Sequence, residues 1–221
     1  MSFLKNGFEI LNNMLTADEL SPIKLELEKQ ALPILTAGLR NADKKFPTIH
    51  SLVTNKKLLG KAKEYLGGDP AIVRVILFDK TPSNNWLVSW HQDKTICVSE
   101  KKEIIGWGPW TLKDEVNHVQ PPLDVLNQMV TFRIHLDSST LETGCLRVIP
   151  NSHVLGILSS NQIREIAKNQ SAIDCIANAG SIMAMRPHLL HASSKATVPS
   201  QRRIIHVEYS SYQLPENLLW V

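Results

Sequence analysis

Met129-Val130-Thr131-Phe132-Arg133-Ile134-His135-Leu136-Asp137 alternates without a break. Val130, Phe132, Ile134 and Leu136 fall on one side of an extended chain, and Thr131, Arg133, His135 and Asp137 on the other. A period of two over this length predicts a strand with one dry face and one polar face. Other short segments rich in β-branched and apolar residues have the same character: Ala71–Phe78, Trp86–Trp90, Leu146–Ile149, Ala172–Ile176, Ser181–Met185 and Arg203–Tyr209. Only Asn161–Lys168 breaks in as a helix. Ahead of Pro70 the chain reads differently. Thr16-Ala17-Asp18-Glu19 is a capping-box pattern, Pro22 follows in the first turn or so, and Pro33 should end or kink that helix. A second helix is expected from about Asn55 to Leu66, stopped by Gly67-Gly68. The strands do not alternate with helices, which argues against a parallel α/β sheet. The fold expected is mainly β, a sandwich or barrel with helices packed on one outer face.

Composition narrows the function classes. The chain has 221 residues, 43% hydrophobic, with 24 basic and 21 acidic residues and a net charge of +3. That balance is too weak to predict nucleic acid as a partner, and the hydrophobic fraction supports a packed core rather than disorder. No apolar run has the length of a membrane helix, and the first residues are too polar for a signal peptide. Cys97, Cys145 and Cys175 are an odd, widely spaced set. They predict reduced thiols in a cytoplasmic protein rather than a disulfide framework or a paired-cysteine zinc site.

The chemistry lies in histidines and carboxylates. In Trp90-His91-Gln92-Asp93, at the end of a strand, His91 and Asp93 point to the same side and can bind one metal ion. A third ligand must come from elsewhere, and His191 is the best candidate, ahead of His188. Two imidazoles and one carboxylate leave the opposite face of the metal open, an arrangement suited to non-haem Fe(II) with a co-substrate and O2. Arg202 follows His191 by eleven residues, room for a strand to end, turn and return. A guanidinium there can grip the far carboxylate of a dicarboxylic co-substrate with two parallel hydrogen bonds. Arg202 and Arg203 face opposite sides of a strand, so only one of them serves the site.

Several residues together resemble the phytanoyl-CoA dioxygenase family of Fe(II)- and 2-oxoglutarate-dependent oxygenases. They are Lys80-Thr81-Pro82 ahead of Trp90-His91-Gln92-Asp93, the stretch Leu141-Glu142-Thr143-Gly144-Cys145-Leu146-Arg147-Val148-Ile149-Pro150-Asn151-Ser152-His153, then His191-Ala192-Ser193 and Arg202. The resemblance runs from about Gly7 to Tyr209. It implies a double-stranded β-helix (jelly-roll, cupin-like) core, Fe(II) held by His91, Asp93 and His191, and 2-oxoglutarate and O2 as co-substrates. It also implies decarboxylation to succinate coupled to oxidation of a small-molecule substrate. Halogenating relatives lack the carboxylate that stands here as Asp93, which argues against halogenation. Asn151 replaces the family's usual glycine, but asparagine tolerates a left-handed backbone.

On this reading one domain spans 1–221, with a helical part to about 69, a jelly-roll core over about 70–210, and an insert over about 94–128 that covers the mouth of the pocket. Arg202, Ser193, Arg133, Thr131 and Gln92 are the candidate co-substrate contacts. Ser193 serves either as a second contact to the carboxylate or as an ordinary turn residue. Arg133 falls where the family places a co-substrate-lining residue, eleven before Gly144, and would need an anion if buried. Lys80, Trp107, Trp110 and His135 are candidate substrate residues. Lys80 either neutralises an anion or is solvated, the two tryptophans form a lid or anchor a loop, and His135 shares the polar face but lies further along. The rival readings are a non-catalytic metal-binding jelly-roll module and a zinc hydrolase.

Overall fold

The structure, a computed structural model, describes residues 2–30 and 38–221. In chain order the helices are α1 (Ser2–Asn6), α2 (Ala17–Lys29), α3 (Ala42–Lys45), α4 (Pro47–Val53), α5 (Lys56–Leu66), α6 (Leu123–Asn127) and α7 (Ser160–Asn169). The strands are β1 (Phe8–Leu11), β2 (Leu39–Arg40), β3 (Ala71–Lys80), β4 (Val88–His91), β5 (Ile96–Val98), β6 (Trp110–Lys113), β7 (Val116–Val119), β8 (Met129–His135), β9 (Leu146–Val148), β10 (Ile173–Cys175), β11 (Ile182–Met185), β12 (His191–Ser193) and β13 (Arg202–Ser210).

Local chemistry sets the helix ends. Thr16 caps α2 reciprocally: Glu19 N–H donates to Thr16 Oγ1 at 3.3 Å, and Thr16 N–H donates to Glu19 Oε2 at 2.8 Å. Pro22 lies inside this helix rather than in its first turn. The expected break at Pro33 lies outside the described residues. Asn55 caps α5 by accepting from Leu58 N–H at 2.8 Å, and Gly67 ends it at φ 70°, a left-handed conformation that glycine adopts without a Cβ clash.

The strands form a jelly roll. A six-stranded sheet, in the order β1-β11-β8-β13-β3-β2, faces a four-stranded sheet, β10-β9-β12-β4, and a three-stranded sheet, β5-β7-β6, extends from one end. Every pairing in the first sheet is antiparallel. At its centre β13 pairs with both β3 and β8, and the register aligns the inward side chains into rows: Lys80 beside Arg202, Phe78 beside Ile204 and His135, Ile76 beside His206 and Arg133, Arg74 beside Glu208 and Thr131. The alternate residues Val75, Leu77, Ile205, Val207, Val130, Phe132 and Ile134 face the other way. They form one core with Leu20, Ile23 and Leu27 of α2 and with Ile49, Leu58 and Ala62. Helices therefore cover one face of this sheet, as expected, and the charged face is left for the interior. Arg203 shows the same parity. It points to the helical side, where Nε and Nη2 donate to Asp137 at 2.8 and 3.0 Å.

Residues 94–128 are a folded unit rather than a loop: β5, β6, β7 and α6 surround their own apolar cluster, built on Val73, Ile96, Val98, Val119, Leu126 and Met129. Asn151 takes the left-handed conformation at φ 64°. No helix among the described residues is long and apolar enough to cross a membrane.

Two consequences can be measured. Phe132 is fully buried, with its ring edge-on to Tyr65 at 6.0 Å and Tyr209 at 5.5 Å. Phe132→Ala should cost about 3–5 kcal/mol, seen as a large drop in Tm. His188 is also fully buried, and burial first, then His153 and Arg186, push its pKa down to about 4. Between its unfolded value of about 6.5 and that folded value, the unfolded chain binds the proton and the folded one does not. Stability should therefore fall as pH drops from about 6.5 towards 4. His188→Gln should flatten that fall in a pH series of thermal melts.

Candidate active site

β4 and β12 bring two histidines together. His91 and His191 are cross-strand partners, with ring centroids 4.1 Å apart. Each ring places Nδ1 2.8 Å from the carbonyl two residues earlier in its own strand, Ser89 for His91 and Leu189 for His191. An Nδ1–H donated there fixes the tautomer and leaves the Nε2 lone pair free for a ligand. Asp93 is held by its backbone N–H, which donates to Pro187 O at 2.9 Å. Its Oδ1 lies 3.8 Å from His91 Nε2 and its Oδ2 3.5 Å from His191 Nε2. Two atoms each ~2.1 Å from one ion stand about 3 Å apart at a right angle and about 4 Å apart when opposed. The three side chains thus gather ligand atoms within 4.8 Å of one another and could hold a single metal ion.

Their charge states suit the same role. Burial, then the neighbouring His91, lowers the His191 pKa to about 3, so its ring is neutral. Burial alone would raise the Asp93 pKa, but His191, His91, His206 and Arg74 outweigh it and hold the carboxyl well below the usual range. A neutral imidazole and an ionised carboxylate are the ligating forms.

A cavity of about 720 Å³ opens from these three residues and is lined by both facing sheets and by the β6–β7 hairpin. At its inner end Lys80 Nζ donates to Ser193 Oγ at 3.0 Å and to Ser194 O at 2.8 Å. Arg202 Nη2 lies 3.5 Å from the same Ser193 Oγ, and Arg202 Nε is buried with no hydrogen-bond partner. Arg133 joins them from β8. Its Nη1 lies 3.2 Å from His206 Nδ1, and its guanidinium sits over the Phe78 ring at 5.4 Å. Among the described residues no carboxylate hydrogen-bonds any of these three cations. Burial first, then Arg202 and Arg133, lowers the Lys80 pKa to about 7; burial lowers Arg133 and Arg202 to about 10. Three buried cations without a carboxylate partner, two of them on one hydroxyl, are built to receive an anion.

Other expected residues lie elsewhere. Gln92 does not offer its amide to the cavity: Nε2 donates to Gly156 O at 2.8 Å and His188 O at 2.7 Å, while Oε1 accepts from Leu158 N–H at 2.9 Å. It ties the 156–158 segment to the His91–Asp93 turn. Trp107 and Trp110 pack against the apolar cluster of the three-stranded sheet and anchor the insert. The tryptophans on the cavity wall are Trp86 and Trp90. His135 does not line the cavity; its Nδ1 lies 3.2 Å from Ser181 O, beneath the sheet edge. Thr131 is buried on the inner face but also stays off the cavity wall. His188 is packed near His153, with ring centroids 6.2 Å apart, away from the ligand trio.

The sequence reading passed over His206. Its Nε2 lies 3.2 Å from Glu208 Oε1 and 4.0 Å from Asp93 Oδ2, and Glu208 in turn pairs with Arg74. The signal was available in the period of two from Arg202, which places His206 and Glu208 on the inner face. Gly144 marks the other local necessity. It has φ 69°, and a Cβ there would collide with the Ser194 carbonyl beside the Lys80 amine.

No curated protein matches the chain in sequence. Among solved structures it is similar to AviO1 from Streptomyces viridochromogenes Tue57, with a TM-score of 0.72 and 19% identity over 97% of this chain and 94% of that one. It is similar to EctD from S. alaskensis with 2-oxoglutarate and 5-hydroxyectoine bound, with a TM-score of 0.72 and 17% identity over 95% and 74%. It is also similar to the non-haem α-ketoglutarate-dependent carbocyclase SnoK from nogalamycin biosynthesis, with a TM-score of 0.71 and 17% identity over 95% and 81%. These likenesses establish the shared fold. A phytanoyl-CoA dioxygenase family model matches residues 3–204. The chain belongs to the phytanoyl-CoA dioxygenase family and is an enzyme of the non-haem Fe(II)- and 2-oxoglutarate-dependent dioxygenase class.

Proposed function

We propose that this enzyme hydroxylates a C–H bond of a small molecule, with His91, Asp93 and His191 holding Fe(II) and the Lys80–Ser193–Arg202 cluster holding 2-oxoglutarate. The observation that carries the reading is the pairing of two complementary sites in one cavity. One is a neutral-imidazole and carboxylate trio with one open face; the other is a buried cationic pocket beside it. The chemistry that bound iron and co-substrate supply is oxidative decarboxylation to succinate and CO2, coupled to oxidation of the substrate.

The chain's own residues do the holding and the excluding. Arg202, with its free Nε, and the Lys80 ammonium take the far carboxylate of 2-oxoglutarate, and Ser193 Oγ steers both cations. Arg133 adds positive charge on the side of the metal trio and is itself held by His206. The carbonyls of Ser89 and Leu189 keep both imidazoles in the ligating tautomer. The β6–β7 hairpin contributes Thr111, Lys113 and His118 to the mouth, so substrate passes it on the way in. EctD, solved with a hydroxylated compound, and SnoK, a carbocyclase, share this fold. Product analysis is therefore part of the test: hydroxylation adds one oxygen, whereas ring closure removes two hydrogens. The three cysteines are unpaired and buried, which suits a reducing compartment and a cytoplasmic enzyme.

His91→Ala, Asp93→Ala and His191→Ala should each abolish succinate formation from 2-oxoglutarate while leaving circular dichroism and Tm close to wild type. Asp93→Gly should still bind metal weakly but release no hydroxylated product. Arg202→Ala removes a buried charge-assisted contact worth ~2–5 kcal/mol, so the apparent KM for 2-oxoglutarate should rise about thirty-fold or more. Arg203→Ala breaks the Asp137 pair on the helical side. It should lower Tm and leave that KM alone; the opposite pattern would sink the assignment of Arg202.

A further inference from the structure

We propose that the outer half of the cavity is a second anion site and that the substrate is an organic anion, its carboxylate or phosphate held by Arg40, Arg74 and Lys113. The inference rests on the function proposed above, because it assigns the inner cations to 2-oxoglutarate.

The first support is the charge on the cavity wall. Among the described residues seven basic side chains line it, against a single carboxylate, Asp93. Behind the wall Glu208 pairs with Arg74 and Asp114 with Arg40, the latter at 2.9 Å. Lys94 turns its amine to Leu158 O at 3.0 Å. A divalent iron and a doubly charged co-substrate cancel one another, so loading the centre leaves the surplus of positive charge untouched. Arg74 and Arg40 keep these carboxylates, but among the described residues Lys113 has none, and a neutral or cationic substrate lying against it would displace water from an unmatched charge at some cost. An anion removes that cost and is drawn in by the same field.

The second support is where the cations stand. On β3 the residues Arg74, Ile76, Phe78 and Lys80 all face the cavity. At about 3.3 Å per residue the two basic ends lie roughly 20 Å apart along the strand. A diacid as short as 2-oxoglutarate cannot occupy both. The metal trio lies between them, since His206, in register with Ile76, is 4.0 Å from Asp93 Oδ2. Arg40, also in register with Ile76 on β2, and Lys113, at the end of β6, approach the Arg74 end from two further elements. They converge on one place. The buried His118 there is pushed down to about 4 by burial first, then by Arg74, Lys113 and Arg40. Between the poles Ile76, Phe78, Trp90 and Pro109 offer an apolar wall. The cavity therefore fits a ligand with a hydrocarbon or ring body that crosses the metal face and a charged head in the outer pole.

The test is calorimetric titration of the full-length protein loaded with Fe(II) and saturating 2-oxoglutarate, without oxygen. The probes are phenylacetate, phenyl phosphate and the neutral phenylacetamide. At least one anion should bind, at least tenfold tighter than the amide, and the anion that binds identifies the head group. The Arg40→Ala/Lys113→Ala double variant should lose at least tenfold affinity for that anion. Lys113→Glu should lose more, and Lys113→Arg should retain it. Equal binding of the amide, indifference to these variants, or displacement of 2-oxoglutarate by the anion would each overturn the outer site. Binding of 2-oxoglutarate, followed first in the same protein, separates the two hypotheses. If it fails, the proposed function falls; if it succeeds and neither anion binds, only the outer site falls.

Discussion

The register of β13 between β3 and β8 is the constraint on which the site depends. Side chains alternate across a strand, so a slip of one residue would exchange the two faces of the sheet. Arg203, Ile205 and Val207 would turn into the cavity, and Arg202, His206 and Glu208 would be driven into the helical core. Two independent features oppose that slip. The outward face buries large apolar side chains, Phe132, Ile205 and Val207 among them, against the helices. Arg203, a polar residue on that face beside Asp79, is fixed by a two-pronged contact with Asp137 and a longer one with Glu28 at 3.6 Å. The buried cationic pocket on one face is thus aligned by packing and an ion pair on the other.

Within that frame the inner face carries charges that the protein leaves only partly matched. Glu208 is fully buried, and it is tolerated because Arg74 and His206 both reach it. Asp93 keeps its charge against burial with Arg74 and the nitrogens of His191, His91 and His206 around it. Lys80, Arg133 and Arg202 have no such partner, and burial depresses the pKa of each. The folded chain carries this unfavourable arrangement ready-made, which spares a bound anion the work of assembling it. Stability for the whole comes from the apolar side of the same strands and from the separate cluster under the three-stranded sheet.

Local pattern made much of this legible. The alternation holds over Met129–His135 and separates Arg133 from Phe132, but fails at Asp137, which lies beyond the strand and turns to Arg203 and Lys24 on the helical side; the Thr16–Glu19 pair caps α2, Gly67 ends α5, and Asn151 takes its left-handed turn, all from a few neighbouring residues. His91, Asp93 and His191 could be grouped because metal ligation demands few residue types, and parity showed that only one of Arg202 and Arg203 could face the pocket, with the spacing from His191 favouring Arg202. What escaped was long-range. Gln92 sits between two ligands, yet its amide is taken by three backbone groups contributed by residues 156, 158 and 188. Trp107 and Trp110 pack inward because residues 94–128 form a sheet with its own core, which no short window of sequence reveals. His135 has the right parity but the wrong depth, since period two fixes a face and not a distance along it.

His206 is where face and depth meet. It lies four residues beyond Arg202 on the inner side of β13, level with Arg133 on one neighbour and Ile76 on the other. Its two nitrogens therefore serve different masters: Nδ1 meets the Arg133 guanidinium, a donor, and Nε2 meets Glu208, an acceptor. A neutral ring protonated on Nε2 satisfies both at once, donating to the carboxylate and accepting from the guanidinium. In that form it joins the Arg133 guanidinium to the buried Glu208–Arg74 pair. The strand that fixes the parity of the inner pocket thus also carries a continuous chain of hydrogen bonds from that pocket towards the cavity mouth.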